Sequence, residues 1–335
     1  MKKMMLRLAG KVFLLAVSTV LAFNLIHLTV LRLCPSLYYA DYGYTWIRHL
    51  PYPPKILLMG SSTVQYNLHP GVIAQNSPYR MGEIINLGWN ARTPLQSYYL
   101  FKTMEKDLKS VQKVYYGIDP WVFSRKYYEH DALMPVDWNL RERLFFIKDK
   151  EKFDKALLGG VLWPVLSRVA KNCFKMVRDK GEDPGWTPGD LGANSLTQKT
   201  KNFNMTAEEW FYHDVFDFSD LQFAYLKKLK EECERKGIQF ILLIPPKTKQ
   251  WRTDYAEKNK AMDDIFVRKL NDYLGESYLT GSFAAIPEEL EEQLFSDGIH
   301  LTSEGQVYFS RQFAFFLRMA DRLPKAHLSN LYSYR

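Results

Sequence analysis

From residue 55 onward the chain alternates between short runs that are apolar at almost every position and longer segments whose apolar residues recur every three or four positions. The short runs are "KILLM" at 55–59, "EIINL" at 83–87, "KVYYGI" at 113–118 and "QFILLI" at 239–244. Such runs, bounded by Gly, Pro or Asn, predict strands of a parallel sheet buried on both faces. The amphipathic segments predict helices over 94–108, 220–236, 256–274 and 303–322, with Ser303 as a candidate cap for the last. Strands alternating with helices argue for βαβ units, and so for an α/β domain around a central parallel sheet.

Two stretches break this rhythm. Residues 131–219 hold a helical segment at 154–177 and then the Gly/Pro-rich "KGEDPGWTPGDLGANS". We read them as an insertion between the third and fourth strands, either shaping a site or merely connecting. The other stretch is residues 12–31, uncharged and mostly apolar, preceded by Lys2, Lys3, Arg7 and Lys11. Its length suits one bilayer crossing of about 20 residues. The basic residues before it favour a cytoplasmic N-terminus. No small-residue cleavage site follows, so the anchor is expected to stay attached. Asn24 and His27 interrupt the span, either to meet a membrane partner or simply as tolerated residues near the interface. The expected organisation is a cytoplasmic N-terminus at 1–11, a transmembrane anchor at 12–31, a linker at 32–54 containing "HLPYPPK", an extracytoplasmic domain at 55–325 and a tail at 326–335.

With 335 residues, 47% of them hydrophobic, the chain can bury a large core, which excludes a disordered or fibrous class. Its three cysteines, Cys34, Cys173 and Cys233, are an odd number at wide spacing. They make neither a disulfide framework nor a CxxC site, and no metal or cofactor is expected. The formal net charge of +8 comes from Lys and Arg scattered among Asp and Glu, without a basic run or a nucleic-acid motif. No nucleic-acid partner is therefore expected. Outside a cell the same surplus would raise the local concentration of an anionic polymer.

Two motifs bear on chemistry. "GSS" at 60–62 ends the first strand run, which places a serine at the carboxyl edge of the sheet, where open α/β sheets build their sites. Gly and Ser are also ordinary turn and capping residues, so this motif alone decides nothing. "FSDGIHLTSEG" at 295–305 sets Asp297 three residues before His300, in a loop that opens the last helix. A carboxylate at that spacing can orient an imidazole, and an oriented imidazole is what a serine nucleophile needs as its base. Trp121 and Trp251 are candidates for a groove or for core packing, and His69 for a helix-flanking position rather than a second base.

A serine after the first strand and an Asp-x-x-His before the last helix together resemble the SGNH or GDSL hydrolase superfamily. "GSS" is similar to that family's Gly-Asp-Ser block, which makes Ser62 the nucleophile and puts Ser61 in the aspartate's place. "INLGWN" is similar to the second block, which implies Gly88 as an oxyanion donor beside the Ser62 amide, with Asn90 as a substitute third donor. "YGIDPW" stands where the family has Gly-x-Asn-Asp, so Asp119 departs from the expected asparagine. A narrower resemblance is to the membrane-anchored D-alanyl transfer proteins of teichoic-acid D-alanylation. It rests on "GSSTVQYNLHP", "IDPWVFS", "LLIPPKTKQW" and "DGIHLT", in order over about residues 50 to 320. Anchored members that O-acetylate exopolysaccharides share the same layout.

The resemblance implies a flavodoxin-like three-layer fold and serine acyl transfer or ester hydrolysis on a cell-envelope polymer. It also implies a multi-span membrane O-acyltransferase as partner. The alternatives are a polysaccharide deacetylase, or a catalytically idle module of the same fold that binds glycan or scaffolds the membrane enzyme; the Asp119 departure motivates the latter.

Overall fold

The computed structural model describes residues 50–89, 92–105, 107–124, 218–275, 279–282 and 286–322, together with the isolated positions 10, 11, 14, 18, 22 and 47. The expected helix at 154–177, Asn90, the tail at 326–335 and nearly all of the expected anchor and insertion lie outside these residues. Among the described residues, no helix is long and apolar enough to cross a membrane. The chain divides into two units, Met1–Tyr42 with Asp137–Glu182 and Gly43–Val136 with Asp183–Arg335; every element named below belongs to the second.

Among the described residues, five strands form one sheet: β1 (Ile56–Met59), β2 (Ile84–Asn86), β3 (Lys113–Gly117), β4 (Gln239–Ile244) and β5 (Leu279–Ser282). Their order is β2-β1-β3-β4-β5 and every pairing is parallel. This is the doubly wound, flavodoxin-like order, in which the chain winds to one side of β1 and then to the other. The switch point therefore lies between the carboxyl ends of β1 and β3. Four strands fall where the apolar runs predict them, within a residue at each end. The sequence reading lacked β5, because "LTGS" carries no continuous apolar run. Among the described residues it pairs with β4 alone.

The helices are α1 (Ser62–Asn67), α2 (Pro70–Gln75), α3 (Pro94–Thr103), α4 (Asp220–Arg235), α5 (Lys249–Leu274), α6 (Glu288–Leu294) and α7 (Ser303–Arg322). Strand side chains alternate between two buried layers, as the period of two requires. Leu57, Met59, Val114, Tyr116 and Leu242 pack against Phe101 of α3, Phe223 and Leu226 of α4, and Phe266 of α5. Ile56, Leu58, Tyr115, Ile241 and Leu243 face the other way, onto Val64 of α1, Ile73 of α2, Leu294 of α6 and Phe309 and Phe313 of α7. The sheet is thus the middle of three layers.

Two boundaries and one cap differ from expectation. α3 stops at Thr103 rather than at 108. α5 begins at Lys249, seven residues early, because the Thr248 side chain caps it by accepting from Trp251 N–H. α7 is capped not by Ser303 but by Thr302, whose hydroxyl accepts from Gly305 N–H at 3.1 Å. After a short 3-10 turn at Pro120–Phe123, Ser124 makes an antiparallel bridge with Phe218, and Ser219 N–H donates to Phe123 C=O at 2.8 Å. Ser124 and Phe218, the described residues on either side of 125–217, are thus paired neighbours.

Candidate active site

Gly60 ends β1 with φ of 142°, a conformation that favours glycine. A Cβ there would also lie 2.8 Å from Val64 Cγ2 and 3.0 Å from the carbonyl oxygen of Gly117. The turn it permits delivers two serines to different tasks. Ser61 is the N-cap of α1, accepting from Thr63 N–H at 3.3 Å. Ser62 is the first helical residue, and its hydroxyl points away from the cap toward the loop between α6 and α7.

In that loop Phe295 and Leu301 bridge antiparallel, and Ser296 N–H donates to His300 C=O at 2.8 Å, closing a tight turn around Asp297. Asp297 Oδ1 accepts from the N–H groups of Ile299 and His300, at 2.8 and 2.7 Å. Its Oδ2 lies 2.7 Å from His300 Nδ1. A carboxylate only accepts, so Nδ1 carries the ring proton and Nε2 is left as an acceptor. The Ser62 hydroxyl lies 2.8 Å from Nε2 and donates to it. Ser62, Asp297 and His300 are 2%, 3% and 7% exposed, so water competes little for these bonds. The Tyr66 ring, one helical turn beyond Ser62, meets the imidazole edge-on with centroids 5.5 Å apart.

The structure thus brings together the three side chains that the motifs single out, although 238 positions separate Ser62 from His300. It treats the expected oxyanion donors differently. As the first residue of α1, Ser62 has no intrahelical acceptor for its N–H. The Gly88 N–H donates to Asn86 Oδ1 at 2.8 Å, so that proton is already given to a side chain. Asn86 in turn donates from Nδ2 to the carbonyls of Val64 and Leu68, both at 2.8 Å, and thereby ties the end of β2 to α1. What requires glycine at 88 is close approach: a Cβ there would lie 2.6 Å from the Gln65 amide nitrogen. Asn90 lies outside the described residues.

Asp119, at the end of β3, is fully buried. Its Oδ2 accepts from the hydroxyls of both Ser61 and Thr63 at 2.5 Å, and its Oδ1 lies 3.7 Å from Lys247 Nζ. The carboxylate therefore grips the residues on either side of Ser62 across the β1–β3 switch point. Sequence reasoning noted two departures from the family pattern, serine for aspartate at 61 and aspartate for asparagine at 119. The two residues meet in the structure, where the Ser61 hydroxyl donates to the Asp119 carboxylate.

The other candidates have structural roles. Trp121 and Trp251 are 2% and 1% exposed. His69 caps α2, its Nδ1 accepting from the N–H groups of Gly71 and Val72 at 3.1 and 3.4 Å. Cys233 is buried against the sheet, and burial pushes its thiol pKa up. Cys34 and Cys173 lie outside the described residues.

No family model matches this chain, and no curated protein matches it in sequence. Among solved structures it is similar to a GDSL-like lipase from Bacteroides thetaiotaomicron, with 11% identity, 83% of this chain and 96% of that chain covered, and a TM-score of 0.39. It is also similar to a proposed platelet activating factor from Streptococcus pneumonia, with 14% identity, 89% and 99% covered, and a TM-score of 0.31. The functional reading rests instead on the chain's own side chains.

Proposed function

We propose that this protein is a serine acyltransferase or esterase of SGNH type that works through Ser62, His300 and Asp297. The observation that carries the reading is the unbroken Ser62–His300–Asp297 hydrogen-bond chain, 2.8 and 2.7 Å long, at the carboxyl edge of a doubly wound sheet. Ser62 Oγ attacks an acyl ester carbonyl while its proton passes to His300 Nε2. The tetrahedral intermediate collapses to an acyl-serine, and the imidazolium returns the proton to the leaving alcohol. A second hydroxyl then attacks with His300 again as base: a polymer hydroxyl gives transfer, and water gives hydrolysis. Asp297 holds the imidazole in the required tautomer and stabilises its charge. The Ser62 N–H is the first oxyanion donor, and Gly88 N–H becomes the second when an oxyanion draws it from Asn86.

The acyl group and its destination follow from the resemblance and from the outward topology expected of residues 12–31. On this reading the domain is extracytoplasmic and membrane-tethered. It receives an acyl group that a multi-span O-acyltransferase carries across the bilayer, and it D-alanylates or O-acetylates an anionic envelope polymer. Labelling with a fluorophosphonate, with Ser62→Ala as control, tests the chemistry. A Ser62-dependent adduct is expected; no adduct and no turnover of an aryl ester would overturn the enzyme reading. Deleting the protein is expected to lower mild-alkali-labile D-alanine or acetate on the envelope, and unchanged levels of both would remove the acyl-transfer role.

The idle-module alternative has one observation in its favour, the Gly88 N–H already bonded to Asn86. Asp119, the departure that motivates it, accepts from two hydroxyls on Oδ2, while its Oδ1 has no hydrogen-bond donor among the described residues and lies 3.7 Å from Lys247 Nζ. The same labelling separates the two readings.

A further inference from the structure

α1 carries Ser62 at its first position and Asn67 at its last. Asn67 is 1% exposed, and both ends of its side-chain amide are bonded. Nδ2 donates to Ile299 C=O at 3.0 Å, and Oδ1 accepts from Leu301 N–H at 3.0 Å. These two groups flank His300, one residue before and one after. A residue in a parallel β-ladder makes the same pair of bonds, donating to the residue before its partner and accepting from the residue after it. The Asn67 amide therefore acts toward His300 as a one-residue strand.

The backbone of His300 is fixed in its other directions by its own loop. Its N–H donates to Asp297 Oδ1, and its C=O accepts from Ser296 N–H and from the Ser296 hydroxyl at 3.1 Å. Those contacts shape the loop but do not set where it stands relative to the nucleophile. Asn67 does, because it belongs to the helix that holds Ser62.

We propose that Asn67 is a positioning residue, which fixes the distance between the Ser62 hydroxyl and His300 Nε2 by binding the peptide groups on both sides of His300. The proposal rests on the Ser-His-Asp reading above. Nothing in the sequence flags Asn67 beyond an asparagine at a helix end. Its contacts appear only when α1 and the 295–301 loop meet.

Two variants test it, each checked for folding by circular dichroism and melting temperature. Asn67→Ala removes both bonds, whereas Asn67→Asp keeps the volume and the acceptor but loses the donor to Ile299 C=O. The readouts, taken well below each melting temperature, are the fluorophosphonate labelling rate at Ser62 and kcat and KM on an aryl ester. Because a misplacement of about 1 Å costs on the order of 100-fold, labelling rate and kcat should fall about 100-fold in Asn67→Ala, with KM little changed. Asn67→Asp should fall between that variant and wild type. A lowered melting temperature with wild-type labelling and kcat in both variants would make Asn67 merely structural and overturn the proposal. Wild type that never labels at Ser62 would overturn the catalytic reading itself and the proposal with it.

Discussion

Asp297 accepts three hydrogen bonds on two oxygens, two from its own loop and one from the imidazole it faces. The loop bonds fix the carboxylate, and only then can the carboxylate fix the ring. Asp297→Asn keeps one oxygen for the loop N–H groups but presents an N–H₂ to His300 Nδ1. The ring must then accept at Nδ1 and protonate at Nε2, which leaves Ser62 without a base. By analogy with triads generally, kcat should fall by about 10⁴ with the fold intact. Aryl-ester kinetics check this, and a loss below tenfold would remove Asp297 from the mechanism. Asp119 makes a different case, because its partners are hydroxyls that a neutral acceptor also satisfies. Asp119→Ala removes the acceptor of two buried hydroxyls that lie 3.1 Å apart and can pair with each other, so one O–H is left unpaired at a cost of about 1–3 kcal/mol. Asp119→Asn retains an oxygen at the same place and should lose clearly less. Equal losses in urea unfolding would mean that Asp119 acts through its charge beside Lys247 rather than as a hydroxyl clamp.

Helices α3 and α4 cover one face of the sheet, and their adjoining ends share an ion network. Lys102 Nζ lies 2.9 Å from Glu105 and 3.2 Å from Glu232; Lys236 Nζ lies 2.5 Å from Glu105; Arg235 also pairs with Glu232. Hydrogen bonds from Lys236 and Lys102 hold Glu105 well below its ordinary 4.5, at about 2. A depressed carboxylate pKa contributes stability that is present above about 4.5 and is lost as pH falls toward 2. Glu105 is about a third exposed, so solvent screens much of this. Glu105→Gln should therefore cost under about 1 kcal/mol at pH 7, and the difference from wild type should close as the pH approaches 2. Urea unfolding across that range measures it, and a pH-independent difference would assign the effect to packing instead.

At this scale legibility in the sequence followed burial. β1 to β4 were readable because strands covered on both faces are apolar throughout, whereas β5 and the short helices α1, α2 and α6 carry too few periodic positions to register. Ser62, Asp297 and His300 were readable because their motifs are local. The grip of Asp119 on Ser61 and Thr63, and the bonding of Gly88 N–H to Asn86, arise only from contacts between separate elements, which no spacing along the chain encodes.

At the scale of the whole molecule, the sheet order and the two buried layers put every residue of the proposed chemistry on one edge. Ser62 and Asp119 follow the central strands β1 and β3, and the His300 loop reaches them from between α6 and α7. A site at one edge of a domain can serve a membrane-borne donor only if the chain is anchored on the same side of the bilayer. Residues 12–31 are uncharged, about the ~20 residues a crossing requires, and are preceded by Lys2, Lys3, Arg7 and Lys11. The full-length chain should therefore remain with the membrane fraction through an alkaline carbonate wash, which removes peripheral proteins. A membrane-impermeant fluorophosphonate should label Ser62 on cells whose membrane is intact, and permeabilisation should add little. Replacing two apolar residues near the middle of 12–31 by Asp should release the protein from the membrane, because each charge at the centre of a span costs about 2.5–3.5 kcal/mol. Labelling that appears only after permeabilisation would place Ser62 on the cytoplasmic side. In that event an envelope polymer would be out of reach, and the acyl acceptor would have to be sought inside the cell.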